Sequence, residues 1–183
     1  LNKNENIVVH VSAESYLKKS NKELHPLSGI SNSNTILCNE NGYYAIRKSD
    51  KYGFNNPNSE WDKDKEIEYL LLGDSFVHGA CVNRPNDIGS VLRILSNKSV
   101  LSLGYGGNGP LLEYATLREY LGSNVRNILW VYFEGNDLHD LKIELNSQLL
   151  KNYLNDTNYT QNLKQRQNEI DLLARSMIED KKK

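Results

Sequence analysis

Three apolar segments of this chain each run directly into a short motif that contains glycine, and this arrangement limits the possible folds more than any other feature. The pairs of segment and motif are residues 67–72 with Gly73-Asp74-Ser75, residues 100–103 with the turn 104–109, and residues 128–133 with Gly135-Asn136-Asp137. Segments with helical character follow the motifs, at residues 87–95, 110–121 and 137–146. An alternation of strands and helices is typical of a parallel sheet with helices on both faces. The sequence therefore predicts an α/β fold of three layers, α/β/α, with about three core strands present.

The three motifs would lie at one edge of that sheet, because each follows the carboxyl end of a strand. Ligands of open α/β sheets bind outside these strand ends. The hydroxyl of Ser75, the main-chain amide of Gly107 and the carboxamide of Asn136 would meet there. A serine hydroxyl can attack an ester carbonyl when a base takes its proton, and amide N–H groups stabilise the oxyanion that forms. The motifs therefore predict a catalytic site for ester chemistry.

Each motif taken alone also has a simpler interpretation. Asp74 or Ser75 would suit the N-cap of a following helix, and Asn136 would suit the same role after the third strand. The turn at residues 104–109 matches G-x-G-x-x-G, and Glu134 stands about where a ribose-binding acid would follow, so a nucleotide-binding domain is an alternative. A turn that only needs the backbone freedom of glycine is the third interpretation of that segment.

Composition excludes several other classes of protein. The 183 residues suffice for one domain with a core of its own; 38% of them are hydrophobic and 25% charged. The net charge of -1 gives no reason to expect a nucleic acid or an anionic membrane as partner. No apolar stretch approaches the ~18 residues of a membrane span, and no group of histidines and cysteines has the spacing of a zinc site. We therefore expect no metal, no cofactor and no membrane contact from this segment.

Residues 1–65 are predicted to form an extension in front of an α/β domain that covers residues 66–183. Within the extension, residues 39–42 read Asn-Glu-Asn-Gly between two apolar runs, which is a strong signal for a β-hairpin. Residues 7–11 predict an edge strand or an ordered tail. At the other end of the chain, residues 158–180 predict one long polar helix.

Cys38 and Cys81 leave two alternatives open. They are either two unpaired thiols or one disulfide that joins the hairpin to the helix after Ser75, and a single pair of cysteines does not decide between them. A disulfide would favour an extracytoplasmic compartment, the periplasm or the cell envelope.

Taken together, the three motifs resemble the sequence blocks of the SGNH (GDSL-type) hydrolase family. Gly73-Asp74-Ser75 is similar to the first block, with Ser75 as nucleophile, and residues 102–107 are similar to the second, with Gly107 as the oxyanion glycine. Gly135-Asn136-Asp137 is similar to the third block, with Asn136 as the oxyanion asparagine. The resemblance covers roughly residues 66–141.

This resemblance implies a flavodoxin-like parallel sheet of about five strands and a serine esterase that acts on ester bonds without a cofactor. Residues 49–57 also resemble the lead-in of a subgroup that we associate with modification of bacterial envelopes or polysaccharides. By analogy, the substrate would be a small acyl ester or an acylated carbohydrate.

One block of the family is absent from the sequence. The family carries Asp-x-x-His near its C-terminus, and this chain has no such motif. His10 and His25 precede the predicted core and His78 leads away from Ser75, so His139 is the only remote candidate for the base. We therefore expect an N-terminal part of a longer protein, inactive by itself because its base lies beyond residue 183. The alternative is a catalytically silent carbohydrate- or acyl-binding module.

Overall fold

A parallel sheet of three strands forms the centre of the computed structural model, which describes residues 7–19, 23–40 and 42–180. Its strands are β4 (Ile67–Leu72), β5 (Val100–Ser102) and β6 (Val125–Trp130), in the spatial order β5-β4-β6. Tyr69 pairs with Val100 on one side, and Leu70 pairs with Ile128 on the other. The three predicted core strands are confirmed, and the described part of the chain is a mixed α/β fold with seven helices.

The third strand lies three residues earlier than the predicted segment 128–133. Val131 N–H still donates to Leu72 O, but the chain then turns, because the Asp137 carboxylate accepts from the main-chain N–H of Phe133 at 2.6 Å. This local capping bond, rather than the apolar pattern, ends the strand.

Seven helices accompany the sheet strands in the described residues. They are α1 (Ala13–Lys19), α2 (Ser75–His78), α3 (Ile88–Ser96), α4 (Pro110–Tyr120), α5 (Asp137–Glu144), α6 (Gln148–Asn155) and α7 (Gln167–Asp180). Helices α3, α4 and α5 lie close to the predicted segments 87–95, 110–121 and 137–146, whereas α1 and α6 were not predicted. Successive residues of a strand point to opposite faces of a sheet. Leu70 and Leu72 accordingly pack in a large core that includes residues of α4, α6 and α7, whereas Leu71 packs with Val77 and Leu92 from α2 and α3.

The predicted single helix over residues 158–180 is wrong. Residues 156–166 form a loop instead, because the buried carboxylate of Glu119 accepts hydrogen bonds from the main-chain N–H groups of Gln161 (2.5 Å) and Leu163 (2.9 Å). A carboxylate that binds main-chain amides in this way competes with the helical hydrogen bonds of the same residues. Helices α6 and α7 flank this loop.

A second small sheet lies in the N-terminal region. Its strands are β1 (Ile7–Val9), β2 (Asn34–Ile36) and β3 (Ile46–Lys48), in the order β1-β2-β3. The antiparallel pair β2–β3 confirms the predicted hairpin, although Asn41 of its turn lies outside the described residues. A disulfide joins Cys38, just past β2, to Cys81, which settles the alternative left open by the sequence.

The lead-in loop after β3 is organised around one buried carboxylate. Asp50 accepts from the main-chain N–H groups of Tyr52 and Phe54, from the carboxamide of Asn56 and from the indole of Trp61. Asn56 in turn bonds both the N–H and the C=O of Ser102 at 2.8 Å. A 3-10 helix, Asn58–Trp61, follows. The loop is thereby fixed to the carboxyl end of β5, and burial raises the pKa of Asp50 to about 6.

Among the described residues no strand pairs with the outer side of β6, so β6 forms an open edge of the sheet, and it is poorly covered. The six consecutive side chains of residues 128–133 are all apolar or aromatic, and each is between 37% and 47% exposed. In a parallel sheet, such a continuous apolar run is normally buried on both faces.

Candidate active site

Ser75 follows β4 on a tight turn and begins α2. Gly73 makes the turn possible, because a Cβ at that position would lie 2.5 Å from Val77 Cγ2. The carboxylate of Asp74 accepts from the N–H of Phe76 at 2.9 Å and so caps α2. The Ser75 hydroxyl makes only a 3.4 Å contact with Asp74 Oδ2. Asp74 is therefore the cap, and the hydroxyl of Ser75 is left available for chemistry.

The glycine turn between β5 and α4 packs directly on α2. A Cβ on Gly104 would lie 2.5 Å from the main-chain nitrogen of His78, and the N–H of Gly106 donates to His78 Nδ1 at 3.1 Å. Gly107 adopts a φ of 83°, which favours glycine. Ser75 and Gly107 line the same cavity, which has a volume of about 540 Å³.

Two main-chain donors at this cavity have no hydrogen-bond acceptor among the described residues. Neither the N–H of Ser75 nor that of Gly107 donates to any residue that the structure describes. Preorganised N–H groups of this kind stabilise the negative charge that develops on a carbonyl oxygen during acyl transfer. The structure therefore brings the predicted nucleophile and the predicted glycine to one cavity.

Asn136 lies apart from this cavity, at the end of the turn that follows β6. It occupies the N-cap position of α5, yet its side chain makes no capping hydrogen bond. Its Nδ2 donates to Asp140 Oδ2 at 2.9 Å, and its buried Oδ1 has no hydrogen-bond partner among the described residues. The rings of Phe76 and Phe133, 4.9 Å apart, hold the turn of Asn136 beside α2. Asn136 does not line the cavity of Ser75 and Gly107.

The four histidines differ sharply in their surroundings. His25 is buried, which lowers its pKa to about 4, and His139 is exposed on α5. His78 is buried between Gly106 and the Arg47 guanidinium, and burial lowers its pKa well below the usual value. Only His10 lines the cavity of Ser75. Sequence reasoning missed His10 because its proximity depends on the pairing of β1 with β2, which no local motif signals.

The N-terminus of α4 is already occupied by a carboxylate. Glu144 of α5 accepts from the N–H groups of Gly109 (2.6 Å), Leu111 (2.9 Å) and Leu112 (3.3 Å). In a dinucleotide-binding domain the pyrophosphate takes this position after a G-x-G-x-x-G turn. Because Glu144 already uses the N–H groups that would bind a phosphate, the geometry argues against the nucleotide alternative. Burial raises the pKa of Glu144 to about 7.

A second buried acid near this rim gives a prediction about pH. Glu113 of α4 accepts from Trp130 Nε1, and burial raises its pKa from 4.5 to about 8. Between these values the folded protein keeps a proton that the unfolded chain has lost, so stability falls as the pH rises. Ionisation of Glu113 should lower the unfolding free energy of wild type by about 1.4 kcal/mol between about pH 7 and about pH 9. Glu113→Gln should not show this part of the loss.

Urea unfolding at the two pH values measures this difference. Glu179→Gln, at an exposed position of α7, is the matched control and should keep the wild-type pH dependence. Equal pH dependence in Glu113→Gln and wild type would show that Glu113 ionises at its ordinary pH.

Among the residues that the structure describes, no group of three or more histidine, cysteine or acidic side chains is placed to hold a metal ion. None of the described helices is both long and apolar enough to cross a bilayer. A scan against protein-family models, a search of curated proteins and a search of solved structures each gave no match to this chain.

Proposed function

We propose that this chain carries the nucleophile and oxyanion hole of an SGNH-type serine ester hydrolase. The observation that carries the proposal is one cavity lined by both Ser75, whose hydroxyl does not cap a helix, and Gly107. The main-chain N–H groups of these two residues donate to no residue that the structure describes. A nucleophile next to two unused amide donors is the arrangement that acyl transfer requires.

In the proposed reaction, Ser75 Oγ attacks the carbonyl carbon of an ester while its proton passes to a base. The carbonyl π electrons move to oxygen, and the two N–H groups bind the resulting oxyanion. The Asn136 carboxamide is the third proposed donor; it reaches the oxyanion after a rotation of its side chain, since its second N–H is not used by Asp140. Collapse of the intermediate expels the alcohol, and water then releases the acyl group from Ser75.

The order of the core strands supports the same proposal. In sequence order β4, β5 and β6 are the first, second and third core strands, so the spatial order is second, first, third. A flavodoxin-like sheet, whose order is 2-1-3-4-5, contains this arrangement as its first three strands. We propose that the chain contributes that part of a three-layer α/β/α fold.

The walls of the cavity indicate the kind of substrate. They include five apolar side chains, those of Leu37, Phe76, Ala80, Val82 and Ile88. A volume of about 540 Å³ lies within the range of small-molecule sites. We propose an ester with an apolar acyl or aryl group, and an acylated carbohydrate fits if its sugar faces the open side of the cavity. The Cys38–Cys81 disulfide in the wall favours an oxidising compartment.

The proposal predicts covalent labelling of one serine by an alkyl fluorophosphonate. Ser75 Oγ should displace fluoride from phosphorus, and peptide mass spectrometry should locate the adduct on Ser75. Ser75→Ala should abolish labelling, whereas Ser12→Ala, which removes the hydroxyl of another serine lining the same cavity, should retain it. Labelling that persists in Ser75→Ala would refute the proposed nucleophile. A folded protein that binds apolar esters without any labelling would support the binding-module alternative instead.

A further inference from the structure

The proposed hydrolase needs a base, and the cavity itself contains a candidate. A serine hydroxyl is a weak nucleophile until a neighbouring group accepts its proton. Histidine is the side chain whose ordinary pKa suits this task near neutral pH. Of the four histidines, all of them among the described residues, His10 alone lines the cavity that holds Ser75 and Gly107.

The ring of His10 is held in place from several sides. Its main-chain N–H donates to Ile36 O at 3.0 Å, which continues the pairing of β1 with β2. The ring centroid lies 4.7 Å from that of Tyr105 and 5.2 Å from that of His78. Tyr105 fixes the following residue as well, since its hydroxyl donates to Val11 O at 2.5 Å. The imidazole is therefore positioned by the fold rather than carried on a free segment.

The glycine turn also makes room for this ring. A Cβ on Gly106 would lie 3.3 Å from His10 Nε2, a tighter contact than side chains normally tolerate. Gly106 precedes the proposed oxyanion donor Gly107, and the N–H of Ala13 donates to Gly106 O at 3.3 Å. The segment that carries His10 is thus attached to the same turn that supplies the oxyanion hole.

The other ionisable groups around the cavity are less suited to the role. Both ring nitrogens of His78 contact protein groups, Gly106 N and the Arg47 guanidinium. The buried Asp87 caps α3 through the N–H of Ser90, and Asp74 caps α2. Glu40 is exposed at the cavity wall, and a carboxylate is a weaker base than imidazole. Tyr105 is buried, with its hydroxyl donated to Val11 O.

We propose that His10 is the general base for Ser75, a role that rests on the proposed hydrolase function. The Ser75 O–H bond breaks and its proton moves to a ring nitrogen of His10 as the bond from Oγ to the acyl carbon forms. The imidazolium then returns the proton to the leaving alkoxide as the C–O bond of the alcohol breaks. Within these 183 residues, which contain no Asp-x-x-His motif, His10 is the proposed proton acceptor.

The test measures the rate at which a fluorophosphonate labels Ser75 in the protein, as a function of pH. In wild type this rate should rise with pH through a single transition, and that transition should be lost in His10→Ala and His10→Gln. His10→Ala and His10→Gln should each lower the rate at pH 8 by about 10²-fold or more, and added imidazole should restore part of it in His10→Ala. His139→Ala is the matched control and should stay within about twofold of wild type.

Two outcomes would overturn the role of His10. One is labelling of Ser75 at the wild-type rate in folded His10→Ala and His10→Gln, as judged by circular dichroism. The other is a loss of rate that imidazole leaves unchanged in both variants. A wild-type protein that is not labelled at Ser75 would instead remove the proposed hydrolase function, so the two failures are distinguishable.

Discussion

Replacing Asn136 by alanine is expected to slow the labelling of Ser75 by a fluorophosphonate by about 10²- to 10³-fold, the usual effect of removing one oxyanion donor. The carboxamide does not cap α5, and only one of its two N–H groups is used, by Asp140. The unused N–H of this carboxamide lies near the strand ends. It can bind the negatively charged oxygen of the pentacoordinate phosphorus species, as it would bind the oxyanion of the tetrahedral intermediate of acyl transfer. The pseudo-first-order rate of adduct formation, followed by intact mass, measures the effect.

Asn146→Ala is the matched control for this experiment. Asn146 follows the C-terminal end of α5 and is exposed, and its carboxamide donates to Lys142 O. Its loss should leave the labelling rate unchanged. If Asn136→Ala and Asn146→Ala label at equal rates, the oxyanion would be held by the main-chain N–H groups alone.

Gly53→Ala is expected to lower the free energy of unfolding by about 3 kcal/mol, because a strained backbone and an overpacked contact add together. Gly53 has a φ of 82°, and a Cβ there would lie 2.0 Å from Gly29 O and 2.7 Å from Gly29 N. These are main-chain atoms and cannot move aside as a flexible side chain would. The lead-in loop around Asp50 would have to shift as a whole, so we expect a fall in melting temperature of about 6–12 °C.

Gly122→Ala provides the comparison for this stability measurement. A Cβ on Gly122 would meet no atom within 4 Å, so the change should alter the free energy of unfolding by less than about 0.5 kcal/mol. A Gly53→Ala protein as stable as Gly122→Ala would mean that the two glycine backbones do not pack as closely as described.

Local signals in the sequence were sufficient to predict most helices and strands of the core. The predicted helix at residues 87–95 is confirmed as α3, and Asp87 caps it through the N–H of Ser90. The predicted helix at residues 110–121 is confirmed as α4, which runs from Pro110, a residue type that suits the first helical turn, to Tyr120. These signals act over a few residues, so the sequence displays them directly.

Features that depend on distant contacts could not be predicted in the same way. The loop between α6 and α7 exists because Glu119 binds the main chain more than forty residues later. Similarly, both Asp and Ser are suitable N-cap residues, so only the structure shows that Asp74 rather than Ser75 caps α2. The presence of His10 in the cavity requires the pairing of two strands from a polar N-terminal region whose pattern carries no chemical signature.

The open edge of β6 has a practical consequence for work with the isolated polypeptide. A strand from another molecule can pair with the unpaired N–H and C=O groups of this edge, and the exposed apolar side chains beside them favour that contact. Samples of this protein should therefore self-associate as their concentration rises. Kinetic and calorimetric measurements are therefore best made in dilute solution, and lysine introduced at exposed Leu129 would be a rational first step toward a better-behaved sample.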